Sequence, residues 1–250
     1  MKTAVIIPAL NEAGNIARLV QETFQQPVAC IIVVDNGSTD KTGSLASEMG
    51  AIVVHEPRQG YGYACAAGIE AASTEGAEVL VYMDGDFSSL PSEITRLLDP
   101  IQRNEADLVL GSRALGHIAS GAMLPHQRFG NWLSARLMSR LYRVNVTDLG
   151  PFRAIRSDLL RDLNMQEMTF GWPTEMMVKV ARRNGRIKEV PVSWHVRHSG
   201  QSKVSGTLRG SLLAAYYILG VTLRYAWQID EISSIVESSV DASLLDSSNE

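Results

Sequence analysis

Val79-Leu-Val-Tyr-Met-Asp-Gly-Asp86 is an apolar run that ends abruptly in two carboxylates separated by one glycine. The β-branched and aromatic residues up to Met83 predict a buried strand. Asp84 and Asp86 would then lie at the carboxyl end of that strand, where open α/β sheets bind their ligands. Paired carboxylates suit Mg²⁺ or Mn²⁺, although Asp and Gly are also ordinary turn residues. The tripeptide therefore predicts either a metal site or a plain strand-ending turn.

Strands and helices alternate along the sequence before this turn. Three apolar strands are predicted at 3–7, 30–34 and 51–54. The helices that separate the strands are predicted at 15–24, 40–49 and 60–72. This spacing is typical of βαβ units and predicts an α/β fold with a mostly parallel sheet flanked by helices. Because right-handed crossovers bring the loops after the strands to one edge, we expect four carboxylates to meet there: Glu12, Asp35, Asp84 and Asp86.

The second half of the chain is predicted to contain one long amphipathic helix among shorter elements. The shorter elements are a helix from Pro91, strands at 107–111, 149–155 and 186–192, and a helix at 173–183. Residues 114–125 show no clear period and are predicted to form a loop. The long helix, at 127–142, has an apolar face of Phe129, Trp132, Leu133, Leu137 and Leu141. Four arginines fall within about 120° of arc at 100° per residue: Arg128, Arg136, Arg140 and Arg143.

The chain is predicted to divide into three segments. One globular domain covers 1–205, a C-terminal amphipathic or apolar helix covers 206–228, and an acidic tail covers 229–250. The tail is rich in Ser and Asp, and we expect it to be partly disordered. The apolar run at 210–223 is shorter than the roughly 20 residues that span a bilayer. That helix is therefore predicted either to pack against protein, in the core or in a dimer, or to lie in a membrane interface.

The composition is that of an ordinary globular protein, with 45% hydrophobic and 20% charged residues among 250. Two cysteines in apolar surroundings, Cys30 and Cys65, favour a reducing compartment over a disulfide framework. The first residues lead directly into a strand without a signal-peptide pattern. We therefore expect a cytoplasmic protein, either free or peripheral on the inner face of the membrane.

The net charge of −4 is unevenly distributed along the chain. Residues 229–250 contain six acidic residues and no Lys or Arg, whereas 108–147 contain five arginines and no acidic residue. Residues 179–209 add eight basic residues against Glu189 alone. Such local excess of positive charge indicates either anionic partners or a solvated basic face.

Four motifs, in their order along the chain, resemble those of family 2 glycosyltransferases of the GT-A fold. The motifs are Ile6-Ile-Pro-Ala-Leu-Asn-Glu12, Val34-Asp-Asn-Gly-Ser-Thr-Asp-Lys-Thr42, Gly60-Tyr-Gly-Tyr-Ala-Cys-Ala-Ala-Gly68 and Asp84-Gly-Asp86. The stretches 148–153, 189–192 and 197–203 are similar to the dolichyl- or polyprenyl-phosphate sugar synthase subgroup. The resemblance implies a metal-dependent, inverting transfer of a hexose from a donor of the UDP-glucose or GDP-mannose type.

The same resemblance implies roles for individual residues. The residues that would line the nucleotide pocket are Pro8, Ala9, Glu12, Asp35 and Gly60. Asp84 and Asp86 would hold Mg²⁺ or Mn²⁺ at the donor diphosphate. Five basic residues are candidates for phosphate contact, because the guanidinium fork suits phosphate oxygens: Arg113, Arg128, Arg153, Arg197 and Lys203. Many family members carry a third polar residue soon after the second metal Asp, where this chain has Ser88.

The acceptor implied by the subgroup is a polyprenyl or dolichyl phosphate, which is already anionic and needs no general base. A hydroxyl acceptor would need a base within hydrogen-bond reach. Asp148 and Glu175 are the candidates for that base, and either is equally a candidate for a structural ion pair. A membrane surface and a second copy of the chain are further candidate partners, and nucleic acid is not expected.

Two other functions agree less well with the sequence. A sugar-1-phosphate nucleotidyltransferase needs a basic, glycine-rich loop after its first strand, and residues 8–12 contain neither Lys nor Arg. A non-catalytic module that anchors an enzyme at a membrane would not need both Asp84 and Asp86. His195 and His198 are expected at the surface rather than on a metal.

Overall fold

The computed structural model describes residues 1–199 and 216–227. In these residues one sheet contains β1 (Thr3–Ala9), β2 (Cys30–Asp35), β3 (Ile52–His55), β4 (Val79–Tyr82), β5 (Leu108–Ile118), β6 (Arg153–Arg156) and β7 (Ile187–Trp194). The helices are α1 (Ile16–Thr23), α2 (Thr42–Glu48), α3 (Tyr61–Thr74), α4 (Ile94–Gln102), α5 (Pro125–Tyr142), α6 (Ser157–Leu163) and α7 (Trp172–Arg182). Pro91–Glu93 forms a 3₁₀ turn, and residues 216–227 are helical.

The strands lie in the order β3-β2-β1-β4-β6-β5-β7. β6 runs antiparallel to β4 and β5, and the other pairings in the described sheet are parallel. The predicted α/β fold with a mostly parallel sheet and flanking helices is therefore confirmed. Ala9 pairs with Asp35 and Ile6 pairs with Tyr82, so the carboxyl ends of β1, β2 and β4 lie side by side.

The central strands are buried on both faces, which explains their nearly continuous apolar sequence. In β1, Ala4 and Ile6 pack into the apolar cluster that includes residues of α3 and α7. Val5 and Ile7 point to the opposite side and pack with residues of α1 and α4. Burying an Ile or Val side chain contributes roughly 1.5–3 kcal/mol. The two layers hold β1 and β4 rigidly and fix the loops that leave their ends.

Strand β5 is longer than its sequence pattern indicates. The prediction of a loop at 114–125 is wrong for its first part, because β5 continues to Ile118 and pairs again with β7. Gly116 permits this close pairing, since a Cβ there would overlap the backbone of Val192. Residues 114–117 are all exposed, so the apolar alternation that marks a half-buried strand is missing.

Helix α5 directs outwards the apolar face that its sequence defines. The residues buried beneath the helix are different ones: Ser134, Ala135, Met138 and Tyr142. Phe129 is 62% exposed and Trp132 53% exposed, and Leu133 and Leu141 are also exposed. The helix thus rests on the domain through Ser134, Ala135, Met138 and Tyr142, whereas Phe129 and Trp132 face away.

Residues 216–227 contact both α5 and α7. Tyr142 Oη donates to the carbonyl of Thr222 at 2.5 Å, and Tyr225 Oη donates to Glu175 Oε1 at 2.6 Å. The remainder of the predicted 206–228 helix and the predicted 229–250 tail lie outside the described residues, so the three-segment division stays a prediction. None of the described helices combines the length and apolarity needed to cross a bilayer.

Candidate active site

The acidic turn after β4 packs directly against the loop that follows β1. A Cβ built on Gly85 would lie 3.4 Å from the carbonyl oxygen of Pro8, 3.5 Å from Glu12 Cγ and 3.6 Å from Ala9 Cβ. The turn and the first loop therefore share one surface at the carboxyl edge of the sheet. This is the place where crossover geometry leads us to expect them.

Asp86 is oriented by the residue two positions after it. Its Oδ1 accepts hydrogen bonds from the backbone N of Ser88 at 3.0 Å and from Ser88 Oγ at 2.6 Å. Phe87 between them has a φ of 65°, an uncommon conformation for a bulky residue. Ser88 thus fixes one oxygen of Asp86, while Oδ2 lies 3.9 Å from Arg197 Nη1.

The surroundings of Asp84 disfavour the charged form of its carboxyl group. Burial raises the pKa of Asp84 to about 7, the nearby carboxylate of Asp86 adds to the rise, and Arg113 and Arg153 oppose it. A divalent cation between the two carboxylates would remove this penalty, so the residues fit Mg²⁺ or Mn²⁺. Within the described residues no three His, Cys, Asp or Glu side chains form a complete metal site. A cation held by the pair would therefore take its other ligands from a diphosphate and water.

Asp35 and Gly60 lie on the β2 side of the same crevice. Asp35 Oδ1 accepts a hydrogen bond from the backbone N of Ser38 at 2.9 Å, and Oδ2 lies 3.6 Å from His55 Nδ1. Asn36 Oδ1 accepts a hydrogen bond from the backbone N of Gly60 at 2.9 Å. Gly60 has a φ of 152°, and a Cβ there would lie 2.7 Å from the carbonyl oxygen of Met168. The glycine therefore lets the start of α3 close against the loop at 166–168.

Glu12 forms an ion pair with Arg197 across this crevice. Arg197 Nη2 donates to Glu12 Oε1 at 2.7 Å and to Oε2 at 3.0 Å, and Asn15 Nδ2 donates to Oε2 at 2.6 Å. The Arg197 side chain is 15% exposed and that of Glu12 is 8% exposed, so the pair is largely shielded from water. Arg197 thus approaches both Glu12 and Asp86, which ties the last described residues of the 1–199 segment to the acidic turn.

Asp148 is fully buried and is held by Arg113. The guanidinium donates to both carboxylate oxygens, at 2.8 Å from Nε and 2.6 Å from Nη2, and the backbone N of Arg113 adds a third bond at 2.6 Å. Burial alone would raise the pKa of Asp148, but the charge and hydrogen bonds of Arg113 outweigh burial and hold that pKa below its ordinary value. Asp148 therefore serves as the anchor of Arg113 in this structure.

Glu175 lies at the centre of a second buried network. It accepts hydrogen bonds from the backbone N of Gln166 and of Glu167, from Tyr225 Oη at 2.6 Å, and pairs with Lys179 Nζ at 2.8 Å. Burial opposes ionisation, but these donors outweigh burial and lower the pKa of Glu175. The carboxylate thus fixes the loop at 166–168, whose Met168 carbonyl accepts a hydrogen bond from the backbone N of Gly62 at 3.1 Å.

Arg153 is buried beneath the acidic turn and is 1% exposed. It donates to the carbonyl of Pro173 at 2.7 Å and to that of Gly150. Its Nε is buried and has no hydrogen-bond partner, and burial lowers the pKa of the guanidinium. The side chain contributes positive charge near Asp84 from below.

A cavity of about 350 Å³ opens between the extension of β5 and the first turns of α5. Arg113 and Arg128 line it, together with Ala114, Ile118, Met123, Asn131, Trp132 and Thr147. The lining therefore joins two guanidinium groups to an apolar wall and contains no carboxylate. Asn131, which the sequence analysis did not single out, orders this corner because its Oδ1 accepts from the backbone N of Leu149 at 3.1 Å.

Ten of the predicted site residues fall into two groups along the crevice, whereas Asp148, Arg153 and Glu175 are buried. Pro8, Ala9, Glu12, Asp84, Asp86 and Arg197 surround the acidic turn, with Asp35 and Gly60 on the β2 side, while Arg113 and Arg128 face the cavity. Lys203 lies outside the described residues. His195 and His198, which are expected at the surface, both donate hydrogen bonds to the acidic turn through their backbone N: His195 to the carbonyl of Ser88 at 2.9 Å and His198 to that of Asp86 at 3.3 Å. His195 Nε2 is buried without a partner. In the sequence, only the position of both histidines directly after β7 indicates that they lie near the carboxyl edge of the sheet.

The sheet order, the helix layers and the carboxylate pair after β4 are those expected of the GT-A fold. The family model described as Glycosyl transferase family 2 matches residues 4–163, and the chain belongs to that family. It is 36% identical to an uncharacterized glycosyltransferase of Mycobacterium tuberculosis, over 84% of this chain and 93% of the relative. It is 32% identical to a polyprenol monophosphomannose synthase of Mycolicibacterium smegmatis, over 82% of each chain. The resemblance that the motifs carry is thereby confirmed.

A solved structure shares the fold at lower sequence identity. Glucosyl-3-phosphoglycerate synthase from Mycobacterium tuberculosis, crystallised with Mn²⁺, uridine diphosphate and phosphoglyceric acid, aligns with a TM-score of 0.72 and 21% identity. The alignment covers 90% of this chain and 78% of the other.

Proposed function

We propose that this glycosyltransferase moves a hexose, with inversion, from a UDP-glucose or GDP-mannose type donor to the phosphate of a polyprenyl or dolichyl lipid. The donor nucleotide would lie between Asp35, Gly60 and the loop of Pro8 and Ala9. The acceptor phosphate would enter the cavity lined by Arg113 and Arg128. The similarity to a polyprenol monophosphomannose synthase supports this acceptor class.

The observation that carries the proposal is that both candidate bases are engaged elsewhere. Asp148 and Glu175 are fully buried, each is fixed by a basic side chain, and each has a lowered pKa. A hydroxyl nucleophile needs a base within hydrogen-bond reach, whereas a phosphate is ionised already. An arginine-lined cavity without carboxylates also favours an anionic acceptor, because guanidinium groups bind phosphate oxygens in a bidentate manner.

We further propose that Asp84 and Asp86 hold Mg²⁺ or Mn²⁺ against the donor diphosphate. The raised pKa of Asp84 supports this, since burial and the neighbouring carboxylate of Asp86 both disfavour its negative charge. A bound divalent cation would neutralise negative charge that develops on the departing nucleoside diphosphate. Ser88 would keep Asp86 oriented for this task, and Arg197 would hold Glu12 away from the metal position.

The test compares acceptors and metal ligands in one transfer assay. Purified protein is given radiolabelled UDP-glucose or GDP-mannose, Mn²⁺ or Mg²⁺, and either a polyprenyl phosphate or the corresponding polyprenol. We expect glycolipid only from the phosphate, and product from the alcohol alone would contradict the proposal. Asp84→Asn should lower transfer by more than about 100-fold, since loss of outer-shell partners already costs 10–100-fold. Glu105→Gln, which removes an exposed partner of Lys188, is the matched control and should leave transfer unchanged.

A further inference from the structure

Five exposed side chains of α5 form a surface that we call the α5 outer face: Phe129, Trp132, Leu133, Arg136 and Arg140. At 100° per residue they fall within about 100° of arc, and the buried residues of the helix lie on the opposite side. The rings of Phe129 and Trp132 lie 5.8 Å apart, so their apolar area is contiguous. Large exposed apolar patches mark interaction sites more often than isolated surface residues do.

The charge around this face has one sign. No Asp or Glu occurs from 108 to 147, and Arg136 and Arg140 lie between the aromatic and leucine side chains on the same arc. Trp, Phe and Leu side chains suit the boundary between lipid headgroups and acyl chains, and the long arginine side chains beside them can extend their charged ends to the headgroups. Tryptophan is enriched at that depth, and arginine is attracted to anionic headgroups.

The α5 outer face is continuous with the arginine-lined cavity. Trp132 belongs to both, because it lines the cavity and is 53% exposed. Leu115 and Leu124 extend the exposed apolar surface on the two chain segments that frame the cavity, at 52% and 46% exposure. A lipid phosphate in the cavity could therefore leave its hydrocarbon chain along an apolar surface instead of in water.

We propose that the α5 outer face is the surface by which this protein docks on an anionic lipid bilayer. Bilayer docking brings the cavity mouth to the headgroup level, which is where a lipid phosphate lies. This last step rests on the function proposed above, whereas the docking itself rests only on the exposed residues of α5.

A second copy of the chain fits this surface less well than a bilayer does. In a twofold dimer the same patch meets itself, so Arg136 and Arg140 of one copy would face those of the other. Like charges brought together in a desolvated interface destabilise it. Anionic lipid headgroups complement the same arginines.

The experiment measures cosedimentation of the full-length protein with vesicles of phosphatidylcholine, with or without phosphatidylglycerol. We expect binding that requires phosphatidylglycerol and weakens with salt. Arg136→Gln with Arg140→Gln should weaken binding about thirtyfold, and Phe129→Ser with Leu133→Ser at least about tenfold. Matched controls lie elsewhere on the surface: Arg103→Gln with Arg161→Gln, and Phe24→Ser with Met49→Ser. The controls should bind as the unaltered protein does.

Four results would decide the matter. Equal binding by the α5 variants and the unaltered protein would overturn the proposal, as would a concentration-dependent dimer that only Phe129→Ser with Leu133→Ser abolishes. Vesicle binding that appears only when residues 228–250 are removed would also overturn it. That result would mean that the acidic residues of 229–250 prevent the α5 outer face from binding lipid in the full-length protein. Specific loss of vesicle binding in the α5 variants would support docking even if no sugar reached a polyprenyl phosphate, in which case the proposed function alone would fail.

If both the docking and the proposed function hold, the α5 variants should still glycosylate a short, water-soluble polyprenyl phosphate and lose activity on long-chain acceptor in vesicles.

Discussion

Helices α4 and α5 each carry apolar side chains at helical spacing, but the two helices place these side chains in opposite environments. In α4 the periodic residues Ile94, Leu97, Leu98 and Ile101 are at most 1% exposed and pack on the sheet. In α5 the corresponding residues face outwards, and Ser134, Ala135, Met138 and Tyr142 contact the domain. Only α4 buries its periodic apolar residues against the sheet.

The position of the charged residues distinguishes the two helices. In α4, Arg96, Asp99 and Arg103 lie on the arc opposite the apolar residues, which is typical of a helix between core and water. In α5, Arg136 and Arg140 lie on the same arc as Phe129 and Leu133. Apolar periodicity therefore identifies a helix, and the arc occupied by its arginines indicates what that helix faces.

The largest stability effect should come from the buried ion pair between Arg113 and Asp148. Asp148→Asn leaves Arg113 without its charged partner in a buried place and should lower the free energy of unfolding by about 3–5 kcal/mol. Because the folded pKa of Asp148 lies below its ordinary value of 3.8, the contribution of the pair is complete above about pH 4. It is lost as the pH falls through the lowered folded pKa. Urea denaturation of both proteins from pH 7 to pH 3 measures this, and equal stability at pH 7 would contradict it.

A matched pair of leucine substitutions tests the comparison of the helices directly. Leu97→Ala creates a cavity under α4 and should cost about 2–5 kcal/mol. Leu133→Ala removes an exposed side chain of α5 and should change stability by less than about 0.5 kcal/mol. Thermal denaturation of the two variants side by side supplies the measurement. A cost above 1.5 kcal/mol for Leu133→Ala, on the order of a lost core contact, would mean that α5 buries this residue in solution.

A smaller gain in stability is expected at Asp84 in metal-free protein. Its folded pKa of about 7 lies above the ordinary value of 3.8, so the folded state binds the proton more tightly than the unfolded state does. The stability that this proton contributes is complete below about pH 4 and is lost as the pH rises through about 7. After allowance for partial exposure, Asp84→Asn should stabilise the metal-free protein at pH 8 by about 2 kcal/mol, or about 4–8 °C in Tm. Below pH 4 the two proteins should melt alike. Adding Mn²⁺ at pH 8 should raise the Tm of the unaltered protein only, and a lower Tm for the metal-free variant would refute this account.

The sequence was most informative where a residue's environment follows from its neighbours along the chain. Strands β1, β2 and β4 are continuous apolar runs, and the turn at Asp84 follows from where such a run stops. The prediction failed where a distant segment decides. β5 continues past Arg113 because β7 pairs with it, and α6, which was not predicted, has only seven residues to carry a period.

The ion pairs between side chains that are distant in sequence also could not be predicted from motif spacing. Asp148 was a candidate for either a base or an ion-pair partner, and 35 residues separate it from the Arg113 that decides between the two. The outward orientation of α5 likewise depends on which residues of α7 and 216–227 occupy the space beside it.

The network around Glu175 links the helical residues 216–227 to the start of α3. Tyr225 donates to Glu175, Glu175 accepts from the backbone of 166–167, and Met168 accepts from Gly62 at the start of α3. Each pair of neighbours along this path is joined by a direct hydrogen bond or by the peptide backbone. A displacement of residues 216–227 would therefore be transmitted through these hydrogen bonds to the loop at 166–168, on which the start of α3 rests.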